Sequence, residues 1–136
     1  MSTAAKSPVT LRQTKYCRSL EGILASKGHA TNAQLLDALR ANYPDVSATT
    51  VHRATARLAR RGIIAYAPTD HDGSMQYDAN VIPHDHFQCS ACGMLRDTDI
   101  ADKISPILEA SIDGCKITGP LTINGICRNC MEAKQL

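Results

Sequence analysis

Two Cys-x-x-Cys pairs, Cys89-Ser90-Ala91-Cys92 and Cys127-Arg128-Asn129-Cys130, constrain this chain more than any other feature. Two residues between cysteines let a tight turn aim both sulfurs at one ion, and two such turns complete the tetrahedron that Zn²⁺ prefers. Gly93, directly after the first pair, suits the left-handed backbone position that closes such a knuckle. Residues 93–126 exceed the spacer of a simple zinc ribbon and have room for a helix and strands. Structural zinc on Cys89, Cys92, Cys127 and Cys130 would therefore tie together both ends of a small domain. The alternatives are a redox dithiol or two reactive surface pairs. A redox motif needs only one pair and usually follows a βαβ pattern, which is absent here. Cys17, on the apolar stripe of a helix, and Cys115, at the start of a strand, are expected in cores.

Length and charge then divide the chain. Its 136 residues suffice for one ordinary domain or two small ones, and with one Phe and no Trp such domains need a staple or a partner subunit. The net charge of +2 hides a split: residues 1–70 carry +6 and residues 71–136 carry −4. A basic front half points to phosphates and an acidic back half to cations. The polar opening lacks the apolar core of a signal peptide, and no later stretch is long enough to cross a bilayer. The expectation is a cytoplasmic protein with no membrane partner, in which paired thiols bind metal rather than form disulfides.

Local signals give the order of elements. Thr10-Leu11-Arg12-Gln13 reads as a capping box before Tyr16, Leu20, Ile23 and Leu24, with Gly28 as the stop. Thr31-Asn32-Ala33-Gln34 opens a short second helix that ends at Tyr43-Pro44. Ser47 caps a third, from about Ala48 to Arg61, with Val51, Ala54 or Thr55, and Leu58 on one face and Arg53, Arg57 and Arg60 on the other. Ile63–Tyr66 and Ser74–Tyr77 read as strands joined through the turn pair Asp72-Gly73. Three helices and a hairpin are the order of a winged helix-turn-helix. Beyond a linker come the first knuckle, a strand near Met94–Thr98, a helix carrying Ile104, Ile107, Leu108 and Ile112, and a β-rich segment over Cys115–Ile126.

A second metal site is visible in part. In an extended segment His84 and His86 share one face, and pairing across the knuckle could bring Asp97 beside His86. Asp78 lies upstream at the end of the wing, and His29 lies in the loop before the second helix. Imidazoles and carboxylates without thiolate suit Fe²⁺ or Mn²⁺, and Zn²⁺ also binds such sets. Taken alone, His84-x-His86 is as readily a surface pair as a ligand pair.

These residues together resemble the ferric uptake regulator family of bacterial repressors, from about Leu11 to Cys130. The most specific stretch is His84-Asp85-His86-Phe87-Gln88-Cys89-Ser90-Ala91-Cys92-Gly93, similar to the family's His-x-His-x-x-Cys-x-x-Cys-Gly signature. Ser47-Ala48-Thr49-Thr50-Val51-His52-Arg53 resembles its recognition-helix start. The resemblance implies an α+β protein: a winged helix-turn-helix over residues 1–78, a hinge over 79–83, and a zinc-stapled α/β dimerisation domain over 84–136. It implies a regulatory site on His29, Asp78, His84, His86 and Asp97. Asp at both carboxylate positions looks most like the peroxide-sensing branch, and the iron- and zinc-uptake branches are the alternatives.

Three departures stand out. His52 replaces the usual Tyr, Cys17 replaces the usual Arg, and Pro83, Ile104 and Gly119 stand where an additional metal site of some members would be.

The implied function is metal-dependent repression by a homodimer on double-stranded operator DNA. Thr49, Thr50, His52 and Arg53 would reach base edges, and Arg57, Arg60 and Arg61 phosphates. A metalloenzyme and a zinc-ribbon module that never meets DNA are the rival classes. No nucleophile motif supports the first.

Overall fold

The computed structural model describes residues 8–134, which fall into two compact units. The first comprises residues 8–67 and 75–81, the second residues 68–74 and 82–134. The turn of the wing, residues 68–74, thus groups with the second unit and not with the hairpin that carries it.

The first unit packs three helices, α1 (Pro8–Lys27), α2 (Asn32–Leu39) and α3 (Ala48–Arg60), on a small antiparallel sheet. Its strands are β1 (His29–Thr31), β2 (Ala65–Ala67) and β3 (Gln76–Asp78), in the order β1-β3-β2. Leu20, Leu24, Leu35, Leu39, Val51, Leu58, Ile64 and Tyr77 form the buried core, and Cys17 lies half-buried against it. Burial pushes the Cys17 thiol up from its ordinary pKa. The arrangement is a winged helix-turn-helix. α1 begins at Pro8, two residues before Thr10, and the side chains of the Thr10–Gln13 capping box lie outside the described residues.

The other helix ends follow local chemistry. At α2, the Thr31 hydroxyl accepts from the Gln34 N–H (3.2 Å) and the Gln34 side chain accepts from the Thr31 N–H (2.9 Å), a complete capping box. Thr31→Ala is expected to cost about 1 kcal/mol, read as a lower thermal midpoint, and Thr31→Ser to keep most of that stability. At α3, Ser47 accepts from the Thr50 N–H at 3.1 Å. The far end is a Schellman motif. Gly62 adopts φ 72°, its N–H donates to Ala59, and the Ile63 N–H reaches back to Leu58, each at 3.0 Å. That closure explains why β2 starts at Ala65 and not at Ile63: Ile63 finishes the helix and Ile64 turns into the core.

The second unit is built on a three-stranded sheet of order β5-β4-β6: β4 (Asp85–Cys89), β5 (Leu95–Thr98) and β6 (Thr122–Gly125). β4 and β6 run parallel, so the chain needs a crossover, and α4 (Ile100–Ser111) lies on it. Asp85 is buried and braces both ends of that crossover. One carboxylate oxygen accepts from the Leu121 N–H and the other from the Ala101 N–H, both at 2.8 Å. α5 (Arg128–Lys134) closes the unit.

The expected β-rich segment contracts to β6, and Cys115 is exposed in a turn, not buried in a strand. The end of α4 accounts for this. Asp113 and Gly114 take positive φ values of 60° and 77°, and Gly114 N–H donates to the Glu109 carbonyl at 2.8 Å. The Ile117 N–H then donates to the Glu109 carboxylate at 2.9 Å and holds its pKa below the usual carboxylate range. The chain therefore wraps the helix end instead of extending.

No residue of α4 is buried. Ile107 is 71% exposed, and Ile112, Ile123 and Met131 are exposed as well. Among the described residues, no helix is long and apolar enough to cross a membrane.

Candidate metal centres and nucleic-acid face

The four cysteines of the two pairs converge at the end of β4, with one sulfur from each within 4.8 Å of the others. Cys92 and Cys127 sulfurs are 3.8 Å apart. A tetrahedron with Zn–S bonds of about 2.3 Å has edges of about 3.8 Å, so the cluster fits zinc. Backbone N–H groups already point at the sulfurs: Cys92 and Cys127 at Cys89 (3.4 and 3.3 Å), and Met94 at Cys92 (3.4 Å).

The N–H donors of Cys127 and Cys92 hold the Cys89 thiol below its ordinary pKa. Hydrogen bonds to the Cys127 and Cys92 sulfurs push Cys130 above its own. A dication among the four sulfurs would favour the thiolate form of all of them. Gly93 takes φ 82°, a backbone conformation that strains any side chain, and a Cβ there would also displace the exposed His71 ring.

The five His and Asp residues form one group in each unit. In the first, His29 Nε2 and Asp78 Oδ2 are 3.2 Å apart because β1 and β3 place His29 directly opposite Asp78. The Asn80 N–H donates to the other Asp78 oxygen at 2.8 Å and fixes the carboxylate. In the second, His84 and His86 direct Nε2 at the same Asp97 oxygen, at 3.1 and 3.3 Å. His86 and Asp97 are register partners across β4 and β5.

The Nδ1 of His84 lies 2.6 Å from the Ile82 carbonyl. With Nδ1 engaged there, Nε2 is the ring atom turned to the Asp97 carboxylate, and imidazole with carboxylate is a donor set suited to a cation. A third group, Asp70, His71 and Asp72, sits in the wing turn. There Asp70 already accepts from the N–H groups of Asp72 and Ser74, at 2.9 and 2.8 Å, and so serves the turn.

On α3, Thr49, His52, Arg53 and Arg60 are exposed, as is Arg61 at its C-cap, and Thr50 and Arg57 are half-exposed, opposite the buried Val51, Ala54, Thr55 and Leu58. Sequence reasoning missed Asn32 on α2. Its amide lies 3.1 Å from His52 Nδ1 and accepts from the Thr55 hydroxyl at 2.8 Å. A partner 20 positions away leaves no local signal.

The family model described as "Ferric uptake regulator family" matches residues 10–118. The peroxide operon regulator of Bacillus subtilis is 29% identical over 116 residues, covering 83% of this chain and 79% of that protein. Among solved structures, the Helicobacter pylori ferric uptake regulator superposes with a TM-score of 0.69 at 19% identity, covering 86% of this chain and 80% of that one. The Campylobacter jejuni peroxide stress regulator does so with a TM-score of 0.66 at 22% identity, covering 88% and 92%.

Proposed function

Because the chain belongs to the ferric uptake regulator family, we propose that it is a dimeric repressor whose hold on operator DNA depends on one regulatory cation. As a member of that family it is a transcriptional regulator and not an enzyme. The observation that carries the metal reading is the pre-assembly of two partial ligand sets, His29 with Asp78 and His84 with His86 and Asp97. Neither set completes a coordination sphere alone. A shared Fe²⁺ or Mn²⁺ would join them and restrict the freedom of residues 79–83, so that two recognition helices meet successive major grooves with less ordering cost.

Cys89, Cys92, Cys127 and Cys130 would hold a separate structural zinc, in a reducing cytoplasm that keeps the thiols available. The apolar side chains left exposed on α4 and at its C-cap, Ile107 and Ile112, suit a two-fold interface with a second copy. Asp78 and Asp97 as the carboxylates, with the similarity to peroxide regulators, support a peroxide-responsive form. Bound Fe²⁺ would there promote cleavage of the O–O bond of peroxide, which as the two-electron oxidant would leave one oxygen on a ligand histidine and the other as water.

The test is a DNA fragment enriched from a random pool, then titrated with metal-free protein and with Fe²⁺, Mn²⁺ or Zn²⁺. Metal-enhanced, sequence-specific retention is expected, and equal affinity with and without every metal overturns the reading. In the same assay, Arg57→Ala should weaken binding to all sequences alike and lower the salt-dependence slope by about one. An unchanged slope would remove Arg57 from the phosphate contacts.

A further inference from the structure

We propose that Asn32 and Thr55 are positioning residues that lock His52 as a hydrogen-bond donor at Nε2, so that α3 reads an acceptor on a base edge. The inference rests on the DNA-binding reading above and deepens it.

Thr55 is buried on α3, and its hydroxyl has three oxygens in reach: Asn32 Oδ1 at 2.8 Å and the Val51 and His52 carbonyls at 3.1 Å. It has one proton to give, and the shortest of the three contacts is the one to Asn32. The two carbonyls lie within α3, where the backbone N–H groups four residues on supply donors. With its oxygen committed to Thr55, the Asn32 amide turns its NH₂ toward His52 Nδ1, 3.1 Å away. An NH₂ only donates, so Nδ1 accepts, and a neutral imidazole then keeps its proton on Nε2.

The ring itself is exposed, five residues after the Ser47 cap, among the first turns that a recognition helix offers to base edges. A donor there matches purine N7, guanine O6 or thymine O4, and is mismatched to the amino group of cytosine. Asn32 itself need touch no base: its effect passes through His52.

Two measurements test this. In isotope-labelled free protein, ring nitrogen shifts should show His52 as the Nε2–H tautomer, and Asn32→Ala should abolish that preference. Ala is a good helix former at the first position of α2, so this variant should fold; Thr55→Val, nearly isosteric, should release the ring in the same way. An Nδ1–H tautomer in the unaltered protein overturns the lock, with or without DNA.

The second measurement uses the enriched fragment with single acceptors deleted: 7-deazapurines for N7, 2-aminopurine for guanine O6, and 5-methyl-2-pyrimidinone for thymine O4. At one position a deletion should weaken the unaltered protein about fivefold and Asn32→Ala hardly at all. Equal losses in both proteins overturn the positioning role. If no sequence enriches, the DNA-binding reading fails and base reading with it, while the tautomer still reports on the lock.

Discussion

Cys89→Ser is expected to unfold the second unit and leave the first one folded. The two units are held by different forces. The first buries a continuous set of Leu, Val, Ile and Tyr side chains. Among the described residues of the second, the buried hydrophobic side chains are Cys89 and Cys127, and the other buried groups are Asp85, His86 and Gln88. Such a unit draws less on apolar burial than the first does. A structural zinc site is worth about 10–16 kcal/mol to the fold that forms it, which matches or exceeds the whole stability of a typical domain. Cys89 is the ligand with most at stake, fully buried and accepting from the Cys92 and Cys127 N–H groups. The variant should purify without zinc, sediment as a monomer, and lose protection of β4–β6 amides in hydrogen exchange. Protection across α1–α3 should persist. A zinc-free variant with unaltered exchange in β4–β6 would show that the sheet stands without its staple.

How far the sequence announces this architecture depends on how local each cause is. Ser47, the Thr31–Gln34 box and Gly62 act within a few residues, so the start of α2 and both ends of α3 are legible. Strand limits are less so, because a helix closure claims Ile63 first. β1 has three residues, too few for any periodicity, and it exists only because β3 pairs with it from far along the chain. His29 therefore reads as a loop residue, and its place opposite Asp78 comes from family resemblance, not from pattern. His86 and Asp97 differ: strand alternation and a short knuckle place them together from sequence alone. The apolar stripe of α4 shows a helix correctly, but periodicity cannot say that its side chains stay exposed within this unit.

Replacing either Asp78 or Asp97, the carboxylates of the proposed regulatory site, is expected to remove most of the metal response, and replacing both to remove no more. Asp78→Asn and Asp97→Asn suit the purpose, since each keeps the shape and an accepting oxygen, so that Asp78 can still receive the Asn80 N–H. Metal coupling between two sites typically changes affinity about 5- to 150-fold, and that ratio of metal-loaded to metal-free DNA binding is the quantity to measure. If a single cation draws on both partial sets, the first substitution already breaks the link and the second has nothing left to remove. If each set binds its own cation, the two losses are independent and multiply. Metal-free affinity, measured for each of the four proteins, is the baseline to which its own metal-loaded value is referred. A double variant losing the product of the single losses would assign the two sets to separate ions. The link between cation and operator would then have to lie elsewhere in the chain.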